Sequence, residues 1–348
     1  MEGLQQLDNV DQVEEVEEVR LPRSVVRDRS DPFVMQSEEE FMKRYRLPKQ
    51  CTRDLLQKIS RKLPTARDGR GCSIPPHMQL LTSLRYMASG SFQLSIADCL
   101  EMSVASVCKY LAYVTRAIAA LAPEYIQFPS PSNVAGFVEN FQSVAGMPGV
   151  IGCIDCTHVP IRSPGGNDAE RYRCRQGYFS INVQGICDPD LKFTNIIASW
   201  PGSAHDSRIF DNSKICHLLE QGHHAGYLLG DSGYPCRKYL LTPILSPSND
   251  KEKNYNTAHA KTRNTIERAF GVLKRRFACL GQPLRTKLET SKRLIMACAV
   301  LHNLAITENI EIAEEEDTDE LEHDAVHCEN NDNRLGFDVR NNVVEQWF

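Results

Sequence analysis

The stretch Ala225-Gly-Tyr-Leu-Leu-Gly-Asp231-Ser-Gly-Tyr-Pro235 decides how this chain is read. Tyr227, Leu228 and Leu229 form a short apolar run that Gly230 stops, with turn signals following at Gly233 and Pro235. So short and apolar a strand is expected to be buried on both faces, inside an α/β sheet. Asp231 then stands at its C-terminal end, where open α/β sheets bind ligands. Beyond a gap of 35 residues comes Glu267, inside Thr262–Phe277, where Ile266, Phe270, Leu273 and Phe277 mark a helical apolar stripe. Upstream, Val150–Asp155 is a second apolar run ending in a carboxylate. Asp155, Asp231 and Glu267 form an all-oxygen donor set suited to two divalent cations, magnesium or manganese.

The elements around these acids suggest their order in space. Val150–Cys156, running on through His158–Arg162, is the first expected strand. Phe179–Cys187 and Lys192–Trp200 form a hairpin turned by Asp188-Pro-Asp190. A helix over Ser203–Leu219 precedes the Asp231 strand, and helices at about 260–278 and 289–305 close the domain. Three antiparallel strands, a helix, a strand beside the first and a helix bearing an acid is a ribonuclease H-like order. This α/β endonuclease domain is expected over 136–306. Ahead of it, 31–135 reads as all-α: Ser37–Arg46, Thr52–Leu63 capped by Thr52, a polar loop Ala66–Ser73, and His77–Ala88. Ser95–Leu100, the turn Glu101-Met-Ser103 and a long helix from Val104 make a helix-turn-helix-like segment within 77–121. Its seam is Val104, Val107, Leu111, Val114, Ile118 and Leu121. Ser106, Lys109, Tyr110 and Arg116 are then left open to DNA; a purely structural helical domain is the other reading.

Charge is unevenly spread. Residues 1–19 carry seven acidic and no basic side chains, and 308–348 carry fourteen acidic and two basic. The body, 20–307, holds 38 basic against 24 acidic, a net +14 hidden within an overall −5. A basic body between acidic ends fits a polyanion-binding protein, although solvated charge on a soluble enzyme gives the same count. The segments 1–30 and 307–348 read as disordered acidic tails. No secretion leader is recognisable, and no apolar run reaches about 18 residues. A soluble intracellular protein is expected, with no membrane contact. Thirteen cysteines scattered along the chain are expected to be mostly buried fillers.

Rival chemistries weigh less. Ser203-Ala-His205-Asp206 matches a capping box, which explains Asp206 without catalysis and ranks it below Asp231. His205 reads as an auxiliary residue rather than a base. Cys153 and Cys156 with His158 suggest zinc, but in a strand the two thiols point to opposite faces. No phosphate-cradling glycine loop or nucleophile elbow is present. Glu267 shares its helix with Lys261, Arg263, Arg268, Lys274, Arg275 and Arg276, surroundings fit for phosphates.

Four motifs in register carry a family resemblance. Gly149-Val-Ile-Gly-Cys-Ile-Asp155-Cys-Thr-His158, Trp200-Pro-Gly-Ser-Ala-His-Asp206-Ser-Arg-Ile-Phe210, Leu228-Leu-Gly-Asp231-Ser-Gly-Tyr-Pro235 and Ile266-Glu267-Arg-Ala-Phe-Gly-Val-Leu-Lys274-Arg-Arg276 resemble the PIF/Harbinger DDE transposase superfamily and the domesticated nucleases derived from it. The resemblance runs from about Phe33 to Ile306. Arg263, Glu267 and Lys274 also resemble part of a signature of bacterial insertion-sequence transposases, whose tyrosine is replaced here by Ala260. It implies a metal-dependent DNA endonuclease with Asp155, Asp231 and Glu267 as catalytic ligands and Arg263, Lys274 and Arg275 on DNA. An active element would also join 3′-hydroxyls to target DNA. It further implies a Myb/SANT-like protein partner, a homo-oligomer, and residence in nucleus and cytoplasm. The alternative is a domesticated, non-catalytic DNA- or partner-binding protein keeping the fold.

Overall fold

The computed structural model describes residues 31–65, 74–222, 225–311 and 334–348. The expected tail 1–30, the loop 66–73 and most of the acidic stretch after 311 lie outside the described residues. Five strands, β1 (Val150–Pro160), β2 (Ser180–Cys187), β3 (Phe193–Pro201), β4 (Tyr227–Leu229) and β5 (Leu240–Leu241), form one mixed sheet in the order β3-β2-β1-β4-β5. The pairs β1/β2 and β2/β3 are antiparallel, and β1/β4 and β4/β5 are parallel. The hairpin and the strand returning beside the first are as expected from sequence; the two-residue edge strand β5 was not.

The helices in chain order are α1 (Pro32–Met35), α2 (Glu38–Tyr45), α3 (Lys49–Ile59), α4 (Pro76–Ser89), α5 (Gln93–Cys99), α6 (Val104–Ala119), α7 (Ala122–Tyr125) and α8 (Val134–Ala145). After β3 come α9 (Asp206–Asp211), α10 (Lys214–Glu220), α11 (Asp250–Arg276), α12 (Leu288–Thr307) and α13 (Arg334–Trp347). Ser37 caps α2 in a full capping box with Glu40. Thr52 is no cap: α3 starts three residues earlier, and the Thr52 hydroxyl donates to the Pro48 carbonyl. The single helix expected over Ser203–Leu219 is two, because Ser213 opens α10 by accepting from the Cys216 N–H.

Ser103 caps α6 as expected, accepting from the Ser106 N–H at 3.1 Å. The seam holds at Val107, Leu111, Val114, Ile118 and Leu121, but Val104 is 41% exposed and Tyr110 is buried. In the first turn of a helix the seam has not yet met its neighbour; Tyr110, one residue before Leu111, lies on the flank that α12 and α4 close over. Lys109 and Arg116 stay exposed.

One continuous core runs from Phe41 through Leu111 and Leu301 to Val183 and Leu273, so the helical segment is built onto the sheet through α12. The expected boundary at 135/136 falls inside the first turn of α8. A second apolar cluster, with Ile154, Ile186 and Phe210, fills the opposite face of the sheet under α9 and α10. At the C-terminus the structure departs from the expected tail: α13 packs on β5 and α11, with Arg340 donating to the Pro243 carbonyl and Lys251 paired to Glu345 at 3.0 Å. Val343 and Val344 bury enough apolar surface to hold a helix that charge counting alone had dissolved.

Candidate active site

Parallel register places the first two acids. Cys153 of β1 aligns with Leu229 of β4, so Asp155 and Asp231, each two residues further, leave adjacent strands at the same level. Gly233 donates its N–H to Asp231 Oδ1 at 3.0 Å, a turn bond that fixes this carboxylate where the strand ends.

Helix α11 brings the third. Cys153 Sγ lies 3.3 Å from the Thr262 carbonyl, so the helix runs over β1. Opposite Asp155 on β2 stands Gly185, and a Cβ there would come within 2.8 Å of the Phe270 ring. The missing side chain lets Phe270 sink onto the sheet, and this sets the height of Glu267 one turn before it.

Arg263 joins the group. Its guanidinium donates to Asp155 Oδ2 at 3.0 Å and also pairs with Glu267, one helical turn on. The side chains of Arg263, Asp155 and Glu267 are only 16%, 11% and 20% exposed. Burial opposes the charge of Arg263, but the carboxylates of Asp155, Glu267 and Asp231 outweigh it and raise its pKa. For Asp155 burial dominates and pushes the carboxyl up to about 7; Arg263 works against that, and Asp231 and Asp206 add to it.

Lys274, two turns past Glu267, donates to Thr157 Oγ1 at 2.7 Å and to the His158 carbonyl at 3.3 Å. Burial lowers its pKa. Sequence reasoning put Arg263 and Lys274 on DNA. Both are instead committed inside the protein, and of that basic trio Arg275 alone is exposed. The i, i+4 spacing of Arg263 and Glu267 was the signal for the pairing, whereas nothing local signalled Thr157.

Asp206 lies on the other face. His158 of β1 pairs in register with Asn182 of β2, and three residues separate His158 from Asp155, so their side chains leave opposite faces. Asn182 Nδ2 donates to Asp206 Oδ1 at 2.9 Å, and Gln184 Nε2 donates to the Asp206 carbonyl at 3.1 Å. The expected capping box is absent: His205 is the N-cap, without a side-chain cap bond, and Asp206 is the first helical residue. Exposed His205 meets Arg175 at 3.1 Å instead of joining the acids. The zinc reading fails as the strand period required, with Cys153 facing α11 and Cys156 facing Tyr234.

The oxygen donors fit a hard divalent cation, and three carboxylates against one guanidinium leave an excess of negative charge for one to neutralise. Among the described residues, however, no three His, Cys, Asp or Glu side chains stand close enough together to ligate one ion. Arg263 bridges two of the acids.

The family described as DDE superfamily endonuclease matches residues 154–303. The chain is 35% identical over 283 residues to "Putative nuclease HARBI1" of Bos taurus, covering 79% of this chain and 80% of that one. The human counterpart is 34% identical with the same coverage. A plant relative, "Protein ALP1-like" of Arabidopsis thaliana, is 26% identical over 69% of this chain and 63% of its own length. No solved structure matches the chain.

Proposed function

The chain belongs to the DDE superfamily endonucleases, among the Harbinger transposase-derived members, and from this we propose that it is a ribonuclease H-like nuclease that cuts phosphodiester bonds of DNA. The observation that carries the reading is that Arg263 pairs Asp155 of β1 with Glu267 of α11, while parallel register brings Asp231 off the adjacent strand at the level of Asp155. These three acids would hold magnesium or manganese. When bound, such ions supply the Lewis acidity that activates the attacking oxygen and stabilises the leaving one. Arg263 orients Asp155 and Glu267 through its fork, and Lys274 ties α11 to the end of β1. Asp206, whose carboxylate accepts from Asn182 and whose carbonyl accepts from Gln184, serves structure.

The direct test is nicking of supercoiled plasmid by the full chain with Mg2+ or Mn2+. Divalent-dependent conversion to open circle, absent with a chelator, is expected. Protein that binds DNA but never nicks it under any divalent cation would favour the second reading, a non-catalytic binder. The buried pairing of Arg263 with two of the three acids is the observation on that side.

The protein further acts, in this reading, with a Myb/SANT-like partner that brings it to the nucleus. The only dense basic run, Lys274-Arg-Arg276, is folded into α11, with Lys274 bonded to β1 and Arg276 buried against the Ile310 carbonyl, so it cannot extend into an import receptor. Imaging the tagged chain with and without the partner tests this. Strong nuclear accumulation in cells that lack any such partner would refute it.

A further inference from the structure

One turn beyond Glu267, α11 carries Gly271. Glycine inside a helix is less favourable than alanine, because it loses more backbone freedom on folding. Such a position calls for a reason, and close packing is the usual one. At Gly185 and Gly152 packing is the reason: a Cβ would run into Phe270 at 2.8 Å and into Ile186 at 2.7 Å. At Gly271 a Cβ would meet nothing within 4 Å, and the backbone there is an ordinary helix without positive φ. Among the described residues, no packing contact requires this glycine.

Its surroundings point outward. Helical spacing puts Gly271 on the face that carries Glu267, four residues before it, and Lys274, three after. Along the flank, Lys261, Arg268 and Arg275 are exposed at seven-residue intervals, about 10.5 Å apart along the axis. The bare backbone is therefore floored between a catalytic carboxylate and a fixed lysine, and edged by cations.

We propose that Gly271 is a DNA-backbone contact: the nucleotide next to the cleaved bond lies directly on the helix there, with Arg268 and Arg275 facing its phosphates. The contact is about 6 Å along α11 from Glu267, four residues of rise. A side chain at this position lifts the strand away from the acids. This inference rests on the nuclease reading above and deepens it.

The test compares the full-length chain with Gly271→Ala and Gly271→Leu, by melting temperature and by anisotropy of a fluorescein-labelled DNA duplex. Alanine fills open space in a helix, so Gly271→Ala raises Tm by roughly 1–3 °C. It nevertheless weakens DNA binding several-fold, and Gly271→Leu weakens it on the order of tenfold, the scale of a single favourable interaction. The salt dependence of binding stays unchanged in both, because no cation is removed, whereas Arg268→Ala lowers the slope by about 1. Wild-type affinity in both glycine variants overturns the inference, and so does a fall in Tm for Gly271→Ala, which would make the glycine a packing residue. Wild-type protein that binds no DNA at all overturns the nuclease reading itself, so the two failures are distinguishable.

Discussion

On the α11 side of the sheet Asp155 meets a guanidinium; on the α9 side Asp206 meets an amide. Asp155 ends an apolar run, and Asp206 stands in a polar stretch that reads as a helix start. Toward α11 the cluster is ionic: Asp155, Glu267 and Arg263 are mostly buried, and burial holds Asp155 far above the ordinary carboxylate range. Toward α9 the cluster is neutral apart from Asp206, with Asn182, Gln184, Cys156 and Tyr234 bonded to one another or to it. A carboxylate in neutral surroundings that already accepts from an amide has less to gain from a cation. One held among like charges with a single guanidinium has much to gain. The difference teaches that the partner separates a structural acid from a candidate ligand.

The largest effect should come from the ionic side. Asp155→Asn, Asp231→Asn and Glu267→Gln are each expected to lower nicking by at least about 10²–10³-fold, the scale of removing a group that stabilises the transition state, while DNA binding stays near wild type. An active Asp231→Asn beside a dead Asp206→Asn would invert the comparison. Arg263→Ala strands two buried carboxylates and is expected to cost about 3 kcal/mol of stability without divalent cation. Added Mn2+ should then raise the Tm of this variant more than that of wild type. An equal rise in both would mean that Arg263 and the cation do not compete for the same carboxylates.

A third measurement looks away from both clusters. His259 and His302, buried and bonded to the Leu241 and Leu191 carbonyls, are held down at about 4 by burial. The unfolded chain takes up these protons first, since its histidines titrate near 6.5. These two histidines alone therefore destabilise the fold as pH drops from about 6.5 toward 4, taking up as many as two protons on unfolding, while Asp155 and Asp188, held protonated to about 7 and about 6 by burial, release protons on unfolding and work against them. His302→Gln should lower the proton uptake on unfolding by about one relative to wild type in this window, read from Tm against pH. On the neutral side, Asp206→Asn keeps an acceptor for Asn182 and should cost no more than about 1 kcal/mol, with nicking near wild type. Smallest of all, Lys109→Ala with Arg116→Ala on α6 should flatten the salt slope of DNA binding by up to about 2. An unchanged slope would make this exposed face structural or partner-facing.

Much of this was legible before any coordinates. Short continuous apolar runs marked β1 and β4, partial alternation marked β2, the turn Asp188-Pro-Asp190 led into β3, and the stripe Ile266, Phe270, Leu273 and Phe277 marked the buried side of α11, because burial on one face or two leaves its pattern in the sequence. The acids were legible because each ends or rides on such an element. Other features left no local trace. The length of α11, 27 residues, was underestimated because its first turns are polar and are held by contacts with β4 and α13. The folded α13 lay within what read as a uniformly acidic tail.

The sequence by itself determined the order of the first four strands, the placing of three acids at two strand ends and on one helix, and the family membership that the motifs imply, since these depend on residue types at fixed spacings. Only the tertiary structure decided which face each acid leaves by, that Arg263 and Lys274 turn inward, and that Gly271 is bare while Gly185 is filled. Those outcomes depend on what lies across the sheet or beyond the helix, and a neighbour distant in the chain leaves no periodic signal at the residue it meets.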